Sequence, residues 1–164
     1  MADLGPPIAF DRLGIATVLR SFWLRVPLNQ REYSWTDREV TDLFHDLNKA
    51  IADNAPMYFL GSIVAIPRED VTTLEVVDGQ QRLATTAILL AAIRQYLKGR
   101  KGDEVIVQDI DSILSAVDRA AREHKSRLRL NLTDNDFFKA RMLDWGETTA
   151  QRFRSHRRID RAAD

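Results

Sequence analysis

Five consecutive residues, Asp78-Gly79-Gln80-Gln81-Arg82, have the types and spacing with which this chain could do chemistry. The apolar, β-branched pair Val76-Val77 leads into them, and a long apolar segment, Leu83 to Ile93, follows. That order predicts a strand, a tight corner and a buried helix. At such a corner the free N–H groups and the positive end of the helix dipole favour an anion. Arg82, in the first turn, is placed to grip a phosphate in a planar fork. The same residues also fit a plain helix start, with Asp78 as N-cap and Gln81 three positions on in a D-x-x-Q capping box. From the residues alone both readings stand.

Composition limits the rest. A length of 164 residues suits one domain with a substantial core. Lys plus Arg and Asp plus Glu each number 24, so the formal net charge is zero and any nucleic-acid surface has to be local. Cysteine is absent, which excludes disulfides and thiolate chemistry. His45, His124 and His156 lie far apart in sequence, and no metal site is expected from them. Met1 to Pro7 lacks the basic start and apolar core of a signal peptide, and the longest apolar run, Ala87 to Ile93, is too short to cross a bilayer. The expected location is the cytoplasm, with no membrane partner.

The elements that must position the corner follow from pattern. Met1 to Pro7 reads as a loose arm, and Phe10 to Arg20 as a short helix. Ser21 to Leu28 alternates as a half-buried strand, with Pro27 predicting an edge or an end. The polar and aromatic stretch Asn29 to Trp35 is a loop. Thr36 and Glu39 form a capping box, with Trp35 and Val40 as a hydrophobic staple, ahead of an apolar stripe from Val40 to Ile51. Tyr58 to Ile66 reads as a buried strand that turns at Pro67 to Asp70 and returns as Val71 to Val77, an antiparallel hairpin. Gln80 to Leu97 is the central core helix, and Lys98 to Asp103 a charged loop. Glu104 to His124 has helical spacing, Arg127 to Leu132 alternates as a short strand, and Thr133 to Asp136 caps a helix that Trp145-Gly146 breaks. The fold expected is α+β, a small and mostly antiparallel sheet flanked by helices. Residues 1–147 form its body. Residues 148–164 are an arginine-rich helical tail, expected to pack poorly and to begin a further segment.

Three separated pieces combine into a more specific pattern. They are Val26-Pro27-Leu28-Asn29-Gln30-Arg31-Glu32-Tyr33-Ser34-Trp35, Leu60-Gly61-Ser62-Ile63-Val64 and Val76 to Leu83, with Arg129 to Phe138 behind them. In order and spacing they resemble the N-terminal domain of the GmrSD and SspE group of modification-dependent restriction proteins, which has a ParB/sulfiredoxin-like core. The resemblance covers about Phe10 to Ile159. It implies a nucleoside triphosphatase domain of a phage-defence system, using GTP or ATP with or without magnesium. It implies catalytic roles for Asp78, Gln81 and Arg82, with Asp78 positioning a water. It places Gly79, Gln80, Gln30 and Arg31 around the nucleotide, and Gln30, Arg31 and Tyr33 beside DNA that carries a modification. Asn29 stands where the group usually has an aromatic residue. Full-length members usually carry a C-terminal nuclease, and nothing here resembles it, so DNA cleavage is not expected of this chain alone. The expected partners are DNA and a nuclease domain or subunit, with the assembly state, a homo-oligomer included, left open. The alternative is a DNA-binding or regulatory module that hydrolyses nothing.

Overall fold

A computed structural model describes residues 9–68, 72–118, 122–144 and 152–164. The chain runs α1 (Ile15–Ser21), β1 (Trp23–Arg25), α2 (Asp37–Ala52), β2 (Val64–Pro67), β3 (Thr73–Asp78), α3 (Gln80–Leu97), α4 (Glu104–Leu114), β4 (Ser115–Asp118), β5 (Glu123–Ser126), β6 (Leu128–Arg129), α5 (Asn135–Lys139), a π-helical turn (Ala140–Asp144) and α6 (Arg154–Ala163). The arm Met1 to Pro7 and the break at Trp145-Gly146 lie outside the described residues.

The α+β class holds, but the expected mostly antiparallel sheet does not. The main sheet has the order β2-β3-β1-β6 and is mixed, mostly parallel. β1 runs parallel to both β3 and β6, and only β2 is antiparallel to β3. β1 therefore lies inside the sheet, not at an edge. Pro27 comes after its last ladder contact, the bond from Val26 N–H to Arg129 C=O at 2.8 Å, and so costs no pairing. The hairpin of β2 and β3 forms as expected, with a bulge at Val64/Ala65. Its first arm is shorter than predicted: Tyr58 to Ile63 is outside the ladder, and Phe59 is 80% exposed.

α3 has the predicted bounds and is the axis of the core. Leu83, Ala84, Ala87, Ile88 and Ala91 bury against Leu24, Val26 and Val76 of the sheet region and against Phe137, Phe138 and Met142. β1 and β6 lie in alternating stretches, the pattern of an antiparallel sheet with one solvated face, which disguised the sheet's direction. Arg94 ends the apolar face by reaching inward, donating to Asp111 Oδ1 at 2.9 Å and to Met142 C=O at 2.6 Å. It thereby gives a carbonyl of the π-helical turn a charged donor.

Two further expectations are corrected. The helix predicted for Glu104 to His124 stops at Leu114, and Ser115 starts the small antiparallel hairpin of β4 and β5. Ile110, Ile113 and Leu114 bury, whereas Val117, at a matching helical phase, is 59% exposed on a strand. The described part of the tail, residues 152–164, is not loosely packed. Ile159 is fully buried, His156 stacks on Phe137 with ring centroids 4.2 Å apart, and α6 packs on α2, α3 and α5. Its short apolar stripe has a partner after all, the far side of the common core.

The start of α2 is as read. The Glu39 carboxylate accepts from Thr36 N–H at 2.7 Å and from the Thr36 hydroxyl at 2.6 Å. The bond from that hydroxyl is the main reason the Glu39 pKa is lowered. Replacing Thr36 with alanine is expected to cost about 0.5–2 kcal/mol in urea melts at neutral pH. The gap between parent and variant should narrow as pH falls through the lowered Glu39 pKa, because the contact needs the carboxylate. Superimposable melts at neutral pH would show that the box does not stabilise α2.

Candidate functional site

β3 delivers Asp78 to the corner, and Gly79 turns it. Gly79 sits at φ +90° as the residue before α3, a left-handed conformation that glycine adopts without strain. Asp78 is therefore the last strand residue and not the N-cap, and the D-x-x-Q capping box is not formed. Leu83 N–H bonds Gly79 C=O at 3.1 Å, the first turn of the helix. The N–H groups of Gln80, Gln81 and Arg82 precede that bond and have no intrahelical acceptor.

The Leu60 to Val64 piece fits against this corner. A Cβ on Gly79 would come within 3.0 Å of Ile63 Cγ1 and 3.1 Å of Ser62 C=O. Gly61, at φ +108°, leaves room for the Arg82 guanidinium, whose Cζ would lie 3.0 Å from an added Cβ. Arg82 Nη1 donates to Ser62 C=O at 2.6 Å. Only glycine at both positions lets the two backbones and the guanidinium approach so closely.

The third piece, the loop from Gln30 to Trp35, is held by side chains. Gln81 Oε1 accepts from Ser34 N–H at 2.8 Å and, more weakly, from Trp35 N–H at 3.4 Å, while its Nε2 donates to Glu32 C=O at 3.2 Å. Gln80 Nε2 donates to Arg31 C=O at 3.3 Å. Gln30 Nε2 reaches back to Val77 C=O at 3.3 Å, next to Asp78. From the opposite side, Asp134 Oδ2 accepts from Tyr33 N–H at 2.6 Å, and Asn131 Nδ2 donates to Gln30 C=O at 3.1 Å. Asn131 Oδ1 in turn receives Asp134 N–H at 2.9 Å. The glutamines thus spend their hydrogen bonds on positioning the loop.

Tyr33 points inward. It is 2% exposed, its hydroxyl meets Thr85 Oγ1 at 2.8 Å, and burial pushes its pKa up to about 12. The ring stays a neutral phenol inside the core and offers no face for a base to stack on. Trp35 is half-buried and also packs on the core. A cavity of about 10 Å³ lies between Arg31, Tyr33, Gln80, Gln81, Asn131 and Asp134. That is room for a single water and far short of a nucleotide. Two buried acceptors of its lining, Gln80 Oε1 and Asp134 Oδ1, receive no hydrogen bond among the described residues.

The structure therefore brings Gln30, Arg31, Tyr33 and the corner Asp78 to Arg82 into one junction, and divides them by exposure. Gly79, Gln80, Gln81 and Tyr33 are buried and build it; Asp78 and Arg31 face solvent; Gln30 and Arg82 are half-buried. A ligand would lie on the outer side of the corner. Among the described residues no three His, Asp or Glu side chains group to hold a metal. Asp78 is an exposed carboxylate at the corner that could ligate a metal ion. Asn131, Asp134 and Thr85 were not singled out from sequence. The signal was a polar Asn-x-x-Asp two residues before Phe137-Phe138, where carboxylate and amide bury along with the aromatic pair.

Residues 15–162 match the family model described as GmrSD restriction endonuclease, N-terminal domain. No curated protein matches the chain. The matched span contains all three pieces of the junction, the Asn131–Asp134 clamp and most of α6.

Proposed function

This chain belongs to the GmrSD restriction endonuclease N-terminal domain family, and on that premise we propose that it is the nucleotide-dependent sensor domain of a modification-dependent restriction system. A restriction endonuclease acts on DNA, so DNA is the partner the family implies. The nucleotide is a ribonucleoside triphosphate, GTP or ATP, and the reaction its hydrolysis in response to modified DNA. The observation that carries this reading is the α3 N-terminus. The N–H groups of Gln80 to Arg82, which have no intrahelical acceptor, follow directly on the exposed Asp78, and the loop that carries the exposed Arg31 is tied to the same corner through Gln80 Nε2.

In this reading the N–H groups and Arg31 hold phosphate oxygens, and the remaining N–H groups of Arg82 add charge from the Ser62 side. Asp78 orients a water toward the terminal phosphate. Charge stabilisation and positioning supply the acceleration, as phosphoryl transfer requires. Gln80 and Gln81 act through the loop they hold, and Gln30 ties that loop to the end of β3.

Asp78→Asn and Arg31→Ala test the assignment, because both side chains are exposed and neither holds the fold. Both variants are expected to melt with the parent. Arg31→Ala should weaken nucleotide binding by about 1.5–3 kcal/mol, the worth of a charged hydrogen bond. Asp78→Asn should bind but release phosphate slowly. Titration of GTP and ATP and a phosphate-release assay decide it. Folded variants that match the parent in both measurements would reduce the corner to architecture. The use of every Gln81 bond in the loop favours a second reading, a DNA-binding or regulatory module without turnover. A parent that binds DNA but neither binds nor hydrolyses nucleotide would establish that one.

A further inference from the structure

α6 carries its arginines on one side. Arg154, Arg157, Arg158 and Arg161 fall within an arc of about 100° when successive residues turn by one part in 3.6. The buried residues Ser155, His156, Ile159 and Ala163 occupy the opposite side. The apolar stripe docks the helix, and the docking fixes the arginine stripe toward solvent. Arg154, Arg157 and Arg161 are exposed and Arg158 is half-buried.

The acids of the helix do not neutralise this stripe. Asp160 and Asp164 lie off its edge and are engaged by Arg141, at 3.1 Å each. Arg161 has one exposed partner, Asp37 at 3.5 Å, a surface pair of little worth. Arg154 and Arg157 have no ion-pair partner among the described residues. A chain with zero formal net charge thus concentrates unpaired positive charge on one helix face.

The stripe also has a position. Asp37, which meets Arg161, opens α2 immediately after the Gln30–Trp35 loop. Arg158 lies near enough to Tyr33 for its charge to act on the phenol. The arginines therefore run beside the loop that the glutamines, Asn131 and Asp134 hold in place. From Arg154 to Arg161 the helix rises about 10 Å, the axial span of about three phosphates of one strand.

We infer that the outer face of α6 is a DNA-backbone contact, with Arg154, Arg157, Arg158 and Arg161 holding successive phosphates of duplex DNA alongside the Gln30–Trp35 loop. Arginine suits this task because its planar fork pairs with phosphate oxygens. Such contacts fix register and carry no sequence information, so an unmodified duplex engages them as well as a modified one. The inference rests on the DNA partner of the function proposed above and is independent of nucleotide hydrolysis.

Fluorescence anisotropy with a labelled, unmodified 20-base-pair duplex, titrated over a range of salt, tests it. The variant Arg154→Ala/Arg157→Ala loses two phosphate contacts. Its log–log salt slope should be smaller than the parent's by about two, which makes binding on the order of 50-fold weaker at 0.1 M salt. Arg154→Glu/Arg157→Glu should abolish binding. Lys98→Glu/Lys101→Glu makes the same change in net charge at the far end of α3, about 27 Å from the corner, and should leave most of the affinity. Both arginine variants should melt with the parent, since the replaced side chains are exposed. Equal salt slopes for parent and Arg154→Ala/Arg157→Ala, equal losses from the arginine and lysine reversals, or a parent that does not bind the duplex would each overturn the inference. Nucleotide titration of the same variants, expected to be unchanged, separates its failure from failure of the nucleotide site.

Discussion

Phe138→Ala is expected to destabilise the protein by about 3–5 kcal/mol, the usual range for an aromatic residue truncated in a core. Phe138 is 1% exposed and lies among Leu19, Ala87, Ile113, Leu114, Leu128 and Met142, which already border a small cavity. The removed ring would enlarge that void instead of being filled by a neighbour, which puts the cost toward the upper end. These neighbours come from α1, α3, α4, β6 and the π-helical turn, so elements from both halves of the chain lose contact at once. Urea melts should show a lower midpoint with an unchanged slope. Leu90→Ala is the comparison: Leu90 is only half-buried on the same core, and should cost less. Equal losses from the two variants would show that the core is not centred where α3, α5 and β6 meet.

Gln81→Ala should cost about 1–3 kcal/mol, about 0.5–1.5 for each of the two part-buried bonds it removes, from Ser34 N–H and to Glu32 C=O. The larger consequence is local. Without Gln81 the Gln30–Trp35 loop still has the bonds of Gln80, Asn131 and Asp134, the Gln30–Val77 bond and the Tyr33–Thr85 contact, but loses its hold on Glu32 and Ser34. Amide hydrogen exchange at Ser34 and Trp35 should then rise well above the parent's while the α3 amides stay protected. Gln81→Glu sharpens the test. It keeps an acceptor for Ser34 N–H but sets a carboxylate oxygen against Glu32 C=O, in a site where a charge is costly to bury. The glutamate variant should therefore be no more stable than the alanine variant at neutral pH. Unchanged exchange at Ser34 in Gln81→Ala would show that the loop holds itself, and would return Gln81 to the candidates for ligand contact.

Local signals carried far in this sequence. The bounds of α3 follow from a long apolar run between Gly79 and the Lys98–Asp103 loop. The start of α2 follows from Thr36 and Glu39, whose contact is made within one helical turn. The β2–β3 hairpin follows from two apolar arms around Pro67. The grouping of the Gln30–Trp35, Leu60–Val64 and Asp78–Arg82 pieces was legible through the family pattern, and the chain does belong to that family.

Tertiary structure decided what depends on partners distant in sequence. Sheet direction is one case: the Trp23–Arg25 strand alternates in the same way whether its neighbours run with it or against it, and only the parallel pairing with Thr73–Glu75 and Leu128–Arg129 settles the matter. Val117 is another, because its helical phase is satisfied by either a longer helix or a strand, and the exposed side of the β4–β5 hairpin won. The most consequential case is the pair Gln80-Gln81. Sequence shows two amides at a helix start, free to cap, to bind a ligand or to orient a water. A side-chain amide can bond any backbone group within about 3 Å, and the groups that come within that reach are Arg31, Glu32 and Ser34, close to fifty residues away along the chain. The sequence determined that polar side chains would crowd the corner. Packing of the loop between α3 and the Asn131–Asp134 clamp determined that the glutamines build the junction, and left Asp78 and Arg31 exposed beside it.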